Sequence, residues 1–183
     1  MSGQQREHIV GGTDAEILQR RAESLALESV EEEMSDRSAM LLFRIGEEWY
    51  AVRVKDVREI FQEYELTVIP CTPEYILGVT NVRGEILSVT DPALITGLGR
   101  IVGMEGIQPP AVVVTNGGVT TALVVDEIGD IVEVPHGAIE PPVSIIDRAQ
   151  AEFVAGSVYI DGNMVGLMNV DRVLEPVGSM NRH

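Results

Sequence analysis

A chain of 183 residues holds one domain, or two small ones that share a core. Its 29 acidic residues against 13 basic ones give a formal net charge of −16, which repels phosphate backbones and anionic lipid and so argues against nucleic-acid and membrane-surface binding. Cys71 is the single cysteine, which excludes an internal disulfide, and no apolar run approaches the ~18 residues of a membrane span.

Aromatic residues make up 4% of the chain, so Val, Ile, Leu and Met must build its core. Residues 1–12 are polar and read as disordered, with no apolar signal-peptide core. Thr13 and Glu16 form a capping box. A helix follows over about 14–34, with Ala15, Leu18, Ala22 and Leu25 on one stripe. That helix docks on its own domain, frays in water or binds a partner groove. Residues 40–45 and 49–54 alternate as a hairpin across Gly46-Glu47-Glu48. Leu41, Phe43 and Ile45 face one way, and Tyr50, Val52 and Val54 can pair with them. Lys55 to about Phe61 reads as a short helix with Val57, Ile60 and Phe61 apolar. Leu66 to Ile69 is a brief strand ended by Pro70 and Pro73. Cys71 has no adjacent base and reads as a partly buried, inert thiol.

A second hairpin spans residues 78–90 within the stretch GVTNVRGEILSVTD. Gly84 supplies its tight turn, because glycine takes positive φ without steric cost. Val79, Val82, Ile86, Leu87 and Val89 can fill a core, which leaves Arg83 as a fixed cation on a rigid hairpin. Ala93 to Leu98 reads as a helical turn. Gly97, Gly99, Gly103 and Gly106 then mark a loose loop running to Pro109-Pro110. Ala111 to Thr115 and Val119 to Val125 are strands joined by Asn116-Gly117-Gly118. Ile128 to Val134 is another strand, where Gly129 can mark a bulge, and Pro135 to Pro142 is a loop. Phe153 to Ile160 and Met164 to Asn169 form a last hairpin across Asp161-Gly162-Asn163, and Asp171 to Leu174 starts a short helix. Many short strands at this spacing argue for small barrels or a sandwich, and pattern alone does not choose between them.

Several of these segments carry a resemblance. The stretch from Gly78 to Asp91 is similar to the signature hairpin of the CheW family, the adaptor proteins of bacterial chemotaxis. Leu41-Leu42-Phe43-Arg44-Ile45 with Glu47-Glu48-Trp49-Tyr50-Ala51-Val52 resembles the family's opening hairpin, and Val57-Arg58-Glu59-Ile60 its first helix. Val124-Val125-Asp126-Glu127-Ile128 resembles the middle motif of its second half. Met168-Asn169-Val170-Asp171-Arg172-Val173-Leu174 resembles its last strand and closing helix. The chain departs at Ser88, where a proline is common, and at Pro92, where a leucine is common. The resemblance implies a mainly β fold: two small SH3-like five-stranded β-barrels side by side, with short helices. That domain would occupy residues 38–178, preceded by an N-terminal extension over 1–37 and followed by a tail over 179–183.

The resemblance also implies a non-catalytic adaptor. It would couple the cytoplasmic tip of methyl-accepting chemotaxis receptors to the regulatory domain of a CheA-type histidine kinase. A groove between the barrels would take the receptor helix, and the apolar edge of one barrel would meet the homologous barrel of the kinase. The protein would be cytoplasmic, held at membrane-bound receptor arrays through protein contacts, and would need no cofactor. An adaptor of another chemosensory-type pathway, for motility or development, is the alternative. A small-ligand binder or enzyme on the same barrels is the remaining class.

No catalytic or metal-binding signature stands out. His8, His136 and His183 are far apart, and no His-x-x-x-His or Cys-x-x-Cys pair exists. His136 reads as a solvated loop residue, the acids Asp126, Glu127 and Asp130 as a solvated strand end, and Ser144 has no visible His–Asp partners. Gly97-Leu98-Gly99 is too short for a dinucleotide fingerprint. The partner-binding residues that the resemblance implies are Arg83, Val57, Glu59, Asn81 and Gly78, with Gly84 as the structural turn. Val57 and Ile60 could equally be core. Asn81 suits a structural role, satisfying backbone groups in the hairpin. Arg83 could form a surface ion pair with Glu85 or Glu59, or keep its guanidinium fork for a partner's carboxylate or carbonyls.

Overall fold

The computed structural model describes residues 14–99, 107–142 and 151–180. The chain divides into two compact units, Met1–Arg37 and Ser38–His183. The first contains helix α1 (Asp14–Ser35), whose Asp14 and Glu16 suit the positive end of the helix dipole. Ile17, Leu18, Leu25 and Leu27 on this helix are exposed. Thr13, the expected cap, lies outside the described residues, as do Gly103, Gly106, Ser144, His8 and His183.

Ten strands build the second unit: β1 (Arg37–Ile45), β2 (Glu48–Arg53), β3 (Val57–Phe61), β4 (Ile76–Val82), β5 (Glu85–Thr90), β6 (Ala111–Asn116), β7 (Val119–Val124), β8 (Glu127–Pro135), β9 (Val154–Ile160) and β10 (Asn163–Met168). Two helices accompany them, α2 (Pro92–Thr96) and α3 (Val170–Met180). The strands form two five-stranded sheets, in the orders β8-β1-β2-β10-β9 and β3-β6-β7-β5-β4. Each curls into a small barrel around its own apolar core. The first encloses Met40, Ala51, Val134, Val158, Val165 and Leu167. The second encloses Val82, Leu87, Val89, Val113, Ala122 and Val124.

A third core lies between the barrels. Leu41, Phe43, Tyr50 and Val52 of the first meet Val112, Val114, Leu123 and Val125 of the second, and α3 adds Val170, Val173 and Leu174. Side chains alternate across a strand, so Met40 and Leu41, or Val113 and Val114, point to different cores. The central strands are buried on both faces, which is why β6 reads as an unbroken apolar run rather than an alternating one. Phe43 and Tyr50 are cross-strand partners and stack with centroids 6.2 Å apart. Among the described residues no buried side-chain N or O atom lacks a hydrogen-bond partner. Thr121 reaches Ser88 and Thr90 at 2.7 Å each across the parallel β5–β7 pair.

The two barrels repeat one design. In each, an antiparallel hairpin (β1–β2 or β6–β7) pairs in parallel with the second strand of another hairpin (β9–β10 or β4–β5), and a fifth strand (β8 or β3) flanks it. The second barrel runs in chain order β3–β4–β5–α2–β6–β7. The first runs β8–β9–β10–α3 and takes β1–β2 from earlier in the chain, so it is a circular permutation of the other. The details match. Arg83-Gly84 and Asp161-Gly162 both place two successive residues at positive φ, 53° and 89° in one turn and 49° and 81° in the other. Thr67 bridges to Val79 as Glu140 bridges to Ser157. Beside each bridge sits a glycine that admits the crossing backbone. A Cβ on Gly78 would lie 2.4 Å from the Thr67 carbonyl oxygen, and one on Gly156 would lie 2.8 Å from that of Glu140. Asp91 accepts a hydrogen bond from the Ala93 N–H at 2.9 Å to cap α2, and Asn169 accepts one from the Arg172 N–H at 3.4 Å at the start of α3.

Several expectations change. Val57–Phe61 is a strand, paired with β6 and bulged between Val57 and Glu59, and not a helix. The helical part is a single 3-10 turn, Val54–Asp56. Helical spacing would put Val57, Ile60 and Phe61 together. The strand instead turns Ile60 outward and leaves Val57 and Phe61 against different cores, because pairing with β6 satisfies its backbone. Ile86 points to solvent, since its neighbour Leu87 takes the inward position. Cys71 is exposed, at φ 63°, rather than partly buried. Gly129 serves a close approach: a Cβ there would lie 2.8 Å from the Trp49 ring. His136 is exposed but also shares a 2.7 Å hydrogen bond with Ser38. Helix α3 runs through Pro176 to Met180, beyond the short helix expected, because Val170, Val173, Leu174 and Val177 form one buried stripe.

Candidate functional site

The β4–β5 hairpin closes in a two-residue loop, with Val82 opposite Glu85. Positive φ at both Arg83 and Gly84 marks a type I′ turn, whose twist matches that of the flanking strands. Gly84 takes this conformation freely, whereas Arg83 holds it at a cost. Asn81 offsets that cost: its Oδ1 accepts a hydrogen bond from the Gly84 N–H at 2.8 Å. Val82 and Leu87 anchor the hairpin in the barrel core. Arg83 is then held on a rigid base with 83% of its side chain exposed.

Strand β3 runs beside this turn. Arg83 reaches Glu59 at 3.4 Å, and Arg58 reaches Glu85 at 2.5 Å. The two crossed pairs staple the hairpin tip to β3 at the far edge of the sheet. Donation by the Arg58 guanidinium holds the Glu85 carboxyl below the usual glutamate range. Both pairs are solvated, so they orient side chains more than they stabilise the fold. Around them lie exposed aliphatics: Ile86 at 62%, Ile60 at 41% and Val68 at 73%.

The hairpin and β3 therefore bring together Arg83, Glu59 and Asn81. Val57 lies earlier on β3, half-buried against the core between the barrels. Gly78 sits at the other end of β4, buried beneath Thr67, whose N–H and carbonyl both bond to Val79 at 2.8 and 2.9 Å. Sequence reasoning missed the Arg58–Glu85 pair and the outward aliphatic rim. The alternation Glu85-Ile86-Leu87 carried a signal for that rim, because two adjacent strand residues cannot both face the core. Among the described residues no group of three or more His, Cys, Asp or Glu side chains could hold a metal, and no helix is long and apolar enough to cross a membrane. The surface has the makings of a docking face: one oriented cation, an acid beside it and an apolar surround.

Comparison with known proteins places the chain. The model of the CheW-like domain matches residues 39–177. A chemotaxis protein CheW of Rhizobium meliloti is 30% identical over 138 residues, covering 73% of this chain and 85% of that protein. A gliding motility regulatory protein of Myxococcus xanthus is 31% identical over 176 residues, which cover 93% of this chain and 20% of that much longer protein. The crystal structure of the scaffolding protein TtCheW from Thermoanaerobacter tengcongensis superposes with a TM-score of 0.66 at 29% identity, covering 75% of this chain and 92% of that one. With its two permuted barrels and its Arg83 hairpin, the chain belongs to the CheW-like domain family.

Proposed function

We propose that this protein is a non-catalytic adaptor that joins the cytoplasmic tip of methyl-accepting chemotaxis receptors to the regulatory domain of a CheA-type histidine kinase. It works in the cytoplasm, at membrane-bound receptor arrays, through protein contacts alone. One observation carries the reading: Arg83, on a rigid type I′ turn and largely exposed, is steered by Glu59 rather than buried by it. A guanidinium so placed offers a planar fork to carboxylates or helix-end carbonyls of a partner. Val57 extends the contact toward the barrel junction, where a receptor helix lies along β3. Asn81 holds the turn. Gly78 acts through its backbone, keeping the segment that carries Val68 in place. The exposed aliphatics Ile60, Ile86 and Val68 supply the apolar edge that meets the kinase barrel.

A second reading rests on the relative whose match covers 93% of this chain, a gliding motility regulatory protein. It assigns the same adaptor chemistry to a chemosensory pathway for motility.

Reconstitution with the cognate receptor and kinase tests the proposal. Arg83→Ala should weaken receptor binding about thirtyfold, which corresponds to ~2 kcal/mol, with the melting temperature essentially unchanged. Arg83→Lys should recover part of the loss, since an ammonium lacks the planar fork. Absence of binding to any CheA-type kinase encoded beside it at tens of micromolar overturns the adaptor reading. A large drop in melting temperature for Arg83→Ala would make the arginine structural instead.

A further inference from the structure

A groove of about 890 Å³ opens at the mouth of the first barrel. Met40, Ala51, Ile139, Leu167 and Met168 give it an apolar floor, and Ala155 lines one side. Three bases, Arg53, Lys55 and His136, stand on its rim with one carboxylate, Asp171. This is an unusual concentration of positive charge in a chain of net charge −16, and Lys55 is its single lysine. Arg53 donates to Asp56 at 2.9 Å, and Asp171 accepts from the Asn116 amide.

The equivalent mouth of the second barrel is plugged. Tyr64, three residues before the bridging Thr67, packs its ring on Phe61 with centroids 5.5 Å apart and donates its O–H to the Pro109 carbonyl at 3.0 Å. Leu77, immediately before Gly78, packs on the same core. The first barrel lacks both plugs. Three residues before its bridging Glu140 stands Gly137, and immediately before Gly156 stands Ala155, which is exposed. An aromatic ring is replaced by no side chain, and a leucine by a methyl group. What fills the second barrel from within is left for something else to fill in the first.

We propose that this groove binds an acidic segment of a partner protein through one aromatic or large aliphatic anchor. The anchor takes the place that Tyr64 and Leu77 occupy in the second barrel and covers the apolar floor. Carboxylates flanking it meet Lys55, Arg53 and His136. The surface is separate from the Arg83 turn, so the proposal stands or falls independently of the receptor-coupling reading.

The test uses the full chain and a short fluorescein-labelled peptide with one tryptophan flanked by glutamates. Anisotropy should show saturable binding with Kd on the order of 10 µM. Ala155→Leu and Gly137→Tyr, which install the second barrel's plugs, should each weaken binding by about tenfold or more. Both should leave the melting temperature at or above that of the parent, because Ala155 is exposed and a Cβ on Gly137 meets nothing within 4 Å. Exchanging the peptide's tryptophan for alanine, or its glutamates for lysines, should abolish binding, and Lys55→Glu should weaken it. Failure of the tryptophan peptide to bind saturably overturns the proposal, as does unchanged binding in both plugged variants. Tighter binding on deletion of residues 1–35 would give the groove to the chain's own N-terminal segment and also overturn it. Concentration-dependent dimerisation abolished by Ala155→Leu would overturn it in favour of a second copy.

Discussion

The two barrels share a topology and differ in how their ends are closed. In the second, Arg58–Glu85 and Arg83–Glu59 staple the hairpin tip to β3, and Tyr64 and Leu77 fill the mouth. In the first, the equivalent tip carries Asp161, which lines a cavity of about 420 Å³ together with Asp130 and Trp49. Among the described residues no ion pair joins that tip to β8, and the mouth is open. Backbone hydrogen bonding and alternation suffice to make either barrel. A handful of side chains at equivalent places then decides which ends are sealed and which stay available.

The strongest probe of this equivalence is the pair of bridging glycines. Gly78 combines φ +153° with a carbonyl oxygen 2.4 Å from where a Cβ would stand, whereas Gly156 has an ordinary φ and 2.8 Å of room. Gly78→Ala should cost about 3 kcal/mol or more, and Gly156→Ala about 1–2 kcal/mol, in thermal or urea melts. Equal or inverted losses would break the structural equivalence of the two bridges.

A smaller effect is expected at the plug. Tyr64→Ala should destabilise by about 2 kcal/mol, leaving the second barrel with a mouth like that of the first. Tyr64→Phe should lose only the hydrogen bond to Pro109, about 1 kcal/mol. Burial raises the Tyr64 phenol above its usual pKa of 10.0. As pH rises past that value, the unfolded chain gives up its proton while the folded one retains it. Stability therefore falls as pH climbs toward the folded-state pKa, and Tyr64→Phe should flatten that alkaline decline. An unchanged alkaline slope would mean that the ring is not sealed in.

The staple should show the smallest effect. Arg58 lowers the Glu85 pKa below 4.5, so the contribution of the pair is present above that value and is lost as pH falls through the folded-state pKa. The carboxylate is solvated, so the loss should be slight and should shrink in high salt. Glu85→Gln should remove the salt-sensitive part of the acid-side decline in urea midpoints. A large effect would mean that the staple holds the barrel shut.

Much of the fold could be read from alternation. Leu41, Phe43 and Ile45 line one face of β1, as their spacing predicts, and Asn116-Gly117-Gly118 marks a hairpin turn. Val57–Phe61 was ambiguous because five residues fit a helical and an extended period equally well, and the deciding hydrogen bonds come from β6. At the site, the exposed cation at residue 83 follows from its place beside Gly84. Its own positive φ does not, since arginine carries no preference for that region. The groove leaves no local trace. Gly137 and Ala155 are conspicuous only beside Tyr64 and Leu77, and that comparison requires the permuted barrels to be aligned.

The permutation also orders events in time. Every strand of the second barrel lies between residues 57 and 124, so a nascent chain can close that barrel as soon as this stretch has emerged. The first barrel cannot do so: β2 must wait for β10 to supply its parallel partner, more than a hundred residues later. Until then β2 is an unpaired edge, and the core between the barrels has only one stable wall. Contacts of such long sequence separation close slowly. The second barrel is thus the template on which the first is completed, and the β9–β10 hairpin with α3 acts as a latch set at the end of synthesis.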